Sequence, residues 1–272
     1  MQHKKTKKTD TLKLPDAAAI QETSSQYDDP LYNYMGYWQK RGYEHRAEVM
    51  AIRNFLKDKH FHTAVDIGGG YGRLVPAIKE FADAVMLVDP SRRQLDLAKD
   101  YLAEHPEVLR MYMQAAHMDF ADESVDLVLM VRVLHHLPKP APVFKEIARI
   151  LDKDGYAIIE LANSTHGRNR LRHILKAKRM PVDPVDVPSH GDTPREAEFA
   201  IPTVQHNPHT VMKQLAHAGL KVERILSVSN LRNRGLEKIM PKSIMLAVEG
   251  ILQPTLANKF FGPSVFFLVR KG

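Results

Sequence analysis

The sequence predicts an α/β protein built on one mostly parallel sheet with helices on both faces. Three observations carry that expectation. Short runs rich in Val, Ile and Leu alternate with stretches of helical periodicity along much of the 272 residues. The first run ends in a glycine-rich turn, Asp66-Ile67-Gly68-Gly69-Gly70-Tyr71-Gly72, a strand–turn–helix junction suited to a nucleotide-type cofactor. The second run ends in an acid, Asp89, 21 residues after Gly68.

Composition narrows the class. A chain of this length can bury one good core, with room for a cap. Hydrophobic residues make up 44% and charged residues 26%, ordinary values for a globular protein. The absence of cysteine excludes disulfides, thiolate chemistry and Cys-based zinc sites. The histidines are scattered without metal-ligand spacing, so no metal is expected. No apolar run approaches the roughly 20 residues of a membrane span. The basic start, Met1 to Lys8, is not followed by a signal-peptide core, so a cytoplasmic location is expected. The net charge of +7 leans toward anionic partners.

Taken in order, residues 1–26 are polar and aperiodic and are expected to form a mobile tail, its lysines a solvated run rather than a nucleic-acid arm. The methodical alternation begins after an aromatic stretch holding Tyr27, Tyr32, Tyr34, Tyr37, Trp38 and Tyr43. These rings either close a lid over a cationic ligand or pack the segment onto the domain. Tyr37 and Arg41 are the candidate ligand contacts. Residues 44–56 have helical spacing and complete an N-terminal lid-and-helix unit over 27–56. Val65-Asp66-Ile67 is a buried strand, and the glycines after it permit positive φ and close approach of a ligand. A helix from Leu74 should point its N-terminal N–H groups at the turn.

Met86-Leu87-Val88 is the second strand. Asp89, with Pro90 beside it, can accept hydrogen bonds from both hydroxyls of a ribose. Its alternative role, capping the helix through Leu95, can be filled by Ser91. Further strands are expected near 111–114, 125–131 and 156–161, with a helix from Val143 to Leu151 and a turn at Asp152-Lys153-Asp154-Gly155. Residues 162–205 break the alternation. Within them Gly167–Arg179 carries six positive residues, no acid, and a short apolar stripe of Leu171, Ile174 and Leu175. A helix through Val211 and Leu215, strands near 222–229 and 264–270, and an apolar helix around 244–252 finish the chain.

Asp66-x-Gly68-x-Gly70-x-Gly72 resembles motif I of the class I S-adenosylmethionine (SAM) methyltransferases. Residues 111–126 resemble that family's third segment, and Asp126 to Pro138, with Val133-Leu134-His135-His136-Leu137, resemble its fourth. The run from Asp66 to Leu161 covers about a third of the chain with the segments in family order. The resemblance implies a single Rossmann-like seven-stranded sheet, mostly parallel with the last strand antiparallel, and a substrate-cap insertion over 162–205. It also implies SAM as cofactor, held by Asp66, Gly68, Gly69, Gly70, Gly72, Asp89, Pro90, Gln114, Ala115 and Arg132. Gln114 departs from the family's usual Asp at the adenine position; its amide can still pair with the ring.

Methyl transfer from a sulfonium is an in-line displacement that demands alignment and exclusion of water, and a base only for a nucleophile that must lose its proton early. His136 and His206 are the candidate bases; packing of the turn and capping of a helix are their alternative roles. Two other functions remain open: a nicotinamide-dependent oxidoreductase, which Arg73 at the third glycine position of G-x-G-x-x-G argues against, and a non-catalytic SAM-binding protein. The acceptor is expected to be a small molecule of anionic character. A lipid head group or RNA also fits the basic segment, which lacks the aromatic interleaving usual in RNA binding. Oligomeric state is not legible.

Overall fold

A computed structural model describes residues 25–187 and 203–272. Seven strands form one sheet: β1 Phe61–Ile67, β2 Ala82–Asp89, β3 Leu109–Tyr112, β4 Val125–Met130, β5 Leu151–Ala162, β8 Leu220–Val228 and β9 Ser264–Lys271. Two three-residue strands, β6 Val185–Val187 and β7 Thr203–Gln205, pair separately and antiparallel. The order in the large sheet is β3-β2-β1-β4-β5-β9-β8. Pairs among β1 to β5 are parallel, and β9 runs antiparallel between β5 and β8. The chain therefore moves outward from β1 to β3, then resumes with β4 on the other side of β1. The carboxyl ends of β1 and β4 flank a topological switch point, where open α/β sheets bind ligands.

The helices are α1 Tyr34–Gln39, α2 Gly42–Leu56, α3 Val75–Ile78, α4 Arg92–Tyr101, α5 Ala141–Ile150, α6 Gly167–Leu175, α7 Pro208–His217, α8 Arg234–Ile239 and α9 Lys242–Thr255. Strand alternation sends residues to two cores, one on each face of the sheet. In β1, Ala64 joins the core with Ile52, Phe55 and Ile78, whereas Val65 and Ile67 join Phe144, Ile147, Val211 and Leu215. In β9, Phe266 and Leu268 go one way and Val265, Phe267 and Val269 the other. Burial on both faces explains the unbroken apolar runs in the sequence.

Three expectations need correction. The helix after the glycine turn is a single turn, α3, with Pro76 in its first turn, so it offers no extended dipole to a ligand. The third strand lies at 109–112 rather than 111–114. The fifth begins at Leu151 with no separating turn, because buried Leu151 pairs with Val125 across a register shift. The antiparallel β6–β7 pair has no counterpart among the expected strands. The tail predicted over 1–26 lies outside the described residues apart from Ser25 and Gln26, as do residues 188–202 of the insertion. Among the described residues no helix is long and apolar enough to cross a membrane.

Candidate functional site

The glycine turn leaves β1 at the switch point. Gly68 has φ 64° and its N–H donates to the Val88 carbonyl at 2.7 Å, which folds the loop back over the end of β2. A Cβ at Gly68 would collide with Val133. Gly70, at φ 59°, is different: a Cβ there would have only Tyr34 at 3.5 Å and Gln94 Oε1 at 3.7 Å near it. The space in front of Gly70 is a cavity of about 440 Å³, lined in part by Gly68, Gly70, Asp89, Pro90, Gln114, Ala115, Arg132 and His136. Gly69 and Gly72 do not reach it. They make room for the Asp66 and Leu87 side chains and for Leu102, respectively.

Asp89 ends β2 on the cavity wall. Its Oδ2 accepts from the Gly70 N–H and its Oδ1 from the Ser91 N–H, each at 2.8 Å. Each oxygen keeps a second lone pair for a ligand hydroxyl. Ser91 caps α4 through its side chain, so Asp89 is not the cap. Burial pushes the Asp89 carboxyl up to about 6, with the Ser91 and Gly70 N–H groups pulling the other way. Asp66 lies beneath the loop, outside the cavity and 1% exposed, and burial pushes its carboxyl up to about 7.

The N-terminal segment closes the cavity, through different rings from those expected. Tyr27 and Tyr34 line it. Tyr37 is 41% exposed, stacks on Tyr34, and carries the Arg41 guanidinium 4.2 Å from its ring centroid; neither Tyr37 nor Arg41 reaches the cavity. The segment is pinned to the start of α4. The Ser91 hydroxyl donates to Asp28 at 2.5 Å, Gln94 Nε2 donates to the Tyr27 carbonyl at 3.2 Å, and Arg93 donates to the carbonyls of Asp29 and Pro30. Gln94 is buried, and its Oε1 has no partner among the described residues.

The turn after β4 supplies the far wall. The Tyr27 hydroxyl and His136 Nε2 lie 2.9 Å apart, inside the cavity. Arg132, with φ 65°, stands at the strand's end. Its Nε donates to Glu48 at 2.7 Å, and its backbone N–H donates to Glu160 at 3.0 Å. Glu48, fully buried on α2, also pairs with Arg73 at 2.7 Å. The Arg73 guanidinium sits 3.6 Å from the Trp38 ring centroid and that of Arg132 at 5.5 Å. Burial opposes the charge on Arg132, but Glu48 and Glu160 outweigh it and raise its pKa above the usual range. Burial likewise opposes ionised Glu48, and the two arginines overcome it.

His206 does not cap α7, a role taken by Asn207. It is 2% exposed, outside the cavity, and its Nε2 meets the Leu134 carbonyl at 3.0 Å. Burial lowers its pKa, which favours a neutral ring that ties the insertion to the β4 turn. The structure thus brings eight of the sequence candidates to one cavity and leaves Asp66, Gly69, Gly72, Tyr37, Arg41 and His206 outside it. Tyr27, Asp28, Tyr34 and Gln94 were missed. The aromatic run flagged the segment but carries no period that says which ring turns inward.

Residues 65–159 match a family described as methyltransferase domain. An uncharacterized methyltransferase of Mycobacteroides abscessus is 28% identical over 116 residues, 42% of each chain, so the similarity spans less than half of that relative's length. Among solved structures, a SAM-dependent methyltransferase of Thermotoga maritima aligns over 88% of this chain and 95% of its own at 20% identity, with a TM-score of 0.59. A cyclase, SpnF, aligns over 84% and 81% at 15% identity and 0.53. These likenesses concern the fold. Residues 65–159, about a third of the chain, thus match a methyltransferase domain, and they lie on a sheet of the order β3-β2-β1-β4-β5-β9-β8.

Proposed function

We propose that this protein transfers a methyl group from SAM to an O, N or C nucleophile of a small, anionic acceptor in the cytoplasm. The observation that carries the reading is the cavity itself. It puts the open face of Gly70, the Asp89 carboxylate and the Gln114 amide around one space at the switch point. The buried, unpartnered Gln94 Oε1 beside Gly70 fits a donor brought by a ligand. Asp89 would hold the ribose, Gln114 and the Ala115 backbone the adenine, and Gly68 and Gly70 the methionine part. SAM supplies a methyl carbon already activated by its sulfonium. What this chain contributes is alignment and dryness: Tyr27 and Tyr34 close the cavity, and Glu48 and Glu160 fix the arginine beside it. His136, next to the Tyr27 hydroxyl, is the group placed to take a proton when the nucleophile carries one.

The nicotinamide alternative is disfavoured by Arg73, which is buried in the Glu48 pair where a dinucleotide turn requires glycine. The fold also houses a cyclase, so binding must be separated from transfer. Thermal shift with SAM, S-adenosylhomocysteine, NAD and NADP tests the cofactor: both sulfur nucleosides should raise Tm and neither dinucleotide should. A shift with NAD or NADP alone would end the methyltransferase reading. A SAM shift without methyl transfer to any of a panel of small anions would favour the non-catalytic alternative.

A further inference from the structure

Helix α6 is mounted inside out. Leu171, Ile174 and Leu175 share one face of a 3.6-residue helix and are 58%, 74% and 77% exposed. The opposite face, with Asn169 and His173, turns to the protein. Asn169 Nδ2 donates to the Ser164 carbonyl at 3.1 Å and approaches Gln205 Oε1 at 3.4 Å, while His173 Nδ1 meets the Asn169 carbonyl at 2.8 Å. No residue of α6 is buried. A helix serving only to cover the sheet edge would present its apolar row inward. Phe261, 46% exposed, lies against Gly167 and donates no polar group there: its carbonyl accepts the Gly167 N–H at 2.8 Å and its ring extends the apolar row.

Cations frame the row. Arg168 and Arg172 border it along one side of the helix, and Lys176, Lys178 and Arg179 follow, all exposed. No side chain of these five pairs with any described residue, and no Asp or Glu occurs between Glu160 and Asp183. An apolar stripe bordered by basic residues is the pattern that lies in a membrane interface, apolar side chains among the acyl boundary and cations on anionic head groups.

We propose that this face docks on an anionic lipid bilayer. The occupant is chosen by charge: the patch offers cations and apolar surface together, and a bilayer with anionic lipids offers complements to both. Helix α6 leaves from the carboxyl end of β5, the same sheet edge that carries the cavity. Docking would therefore bring that edge to small anionic acceptors at the cytoplasmic surface of the bilayer, a consequence that rests on the methyl-transfer reading.

Sedimentation of the full chain with vesicles is the test. It should pellet with vesicles of phosphatidylcholine and phosphatidylglycerol and stay in solution with phosphatidylcholine alone. Leu171→Ser/Ile174→Ser/Leu175→Ser should cut the bound fraction by about tenfold or more, and Arg168→Ala/Arg172→Ala should weaken it and flatten its salt dependence. Both variants should keep the wild-type Tm and SAM shift, which separates failure of docking from failure of the cofactor reading. No pelleting by the wild type, or unchanged pelleting by the triple-serine variant, overturns the proposal. So does tight binding to RNA that the serine variant retains, or a dimer in sedimentation velocity that the serine variant abolishes.

Discussion

Helices α5 and α6 stand on either side of β5 and are both amphipathic, yet they face opposite ways. In α5, Val143, Phe144, Ile147 and Ile150 are all buried against the sheet and α7. In α6 the corresponding apolar row is turned to solvent and the polar row to the protein. The periodicity says that a helix has two faces; the neighbouring surface decides which one turns in. Helix α5 connects two adjacent parallel strands and must lie on the sheet, whereas α6 follows the point where the chain leaves the sheet edge.

The widest gap between the two should appear in stability. Phe144→Ala should cost about 3–5 kcal/mol in urea unfolding, the scale of an emptied aromatic site. Ile174→Ala should move stability by less than about 0.5 kcal/mol. A loss above about 2 kcal/mol for Ile174→Ala would mean that α6 packs inward and the contrast is false.

Titration sharpens the same contrast. The Asp66 carboxyl, raised to about 7 by burial, binds its proton more tightly in the folded than in the unfolded chain. The contribution of this carboxyl to stability therefore falls as pH rises from about 4 through about 7, then levels off. Asp66→Asn should remove most of that slope and gain on the order of 4 kcal/mol at pH 8, leaving a smaller slope from Asp89. Melting curves of wild type and Asp66→Asn from pH 5 to pH 8 check it; parallel curves for the two proteins would place the Asp66 carboxyl in contact with water.

Two smaller effects concern the cofactor. Asp89→Ala should weaken SAM by about 1.5–3 kcal/mol in calorimetry, the scale of charge-assisted hydrogen bonds, while Arg172→Ala leaves it unchanged. Equal losses in both would mean that charge near the edge, rather than the ribose contact, drives affinity. Gly70→Val should cost about 1–2 kcal/mol of stability, mainly from its positive φ since the space before it is open, and should abolish the SAM shift in Tm. A variant that still gains the full shift would remove the glycine loop from the cofactor site.

The sheet was legible because its signals are local. The central strands β1, β4 and β9 are runs of mostly apolar residues buried on both faces, and β1 and β2 end in Asp66-Ile67-Gly68 and Asp89-Pro90, which mark the edge where ligands bind. Sheet order and the placing of β9 between β5 and β8 came with the family likeness, not from the runs themselves. The misses were long-range or very short. The contact of His206 with the Leu134 carbonyl spans 72 residues, and nothing beside His206 announces it. Glu48 reads as an ordinary helix acid until Arg73 and Arg132 arrive from elsewhere in the chain. Three-residue strands such as β6 and β7 carry no measurable period.

That shared carboxylate has a consequence for where this protein can be cut. The recognisable methyltransferase stretch runs from residue 65 to 159 and contains Arg73 and Arg132, but Glu48, which pairs with both, belongs to α2, before the stretch begins, and Glu160, the second acid beside Arg132, falls just past its end. Trp38, whose ring covers the Arg73 guanidinium, lies earlier still. A fragment trimmed to residues 65–159 would carry two inward cations with no counter-charge, a state several kcal/mol above the paired one. The limits of a sequence domain and the limits of an electrically neutral body are drawn in different places, and here the second begins before residue 48.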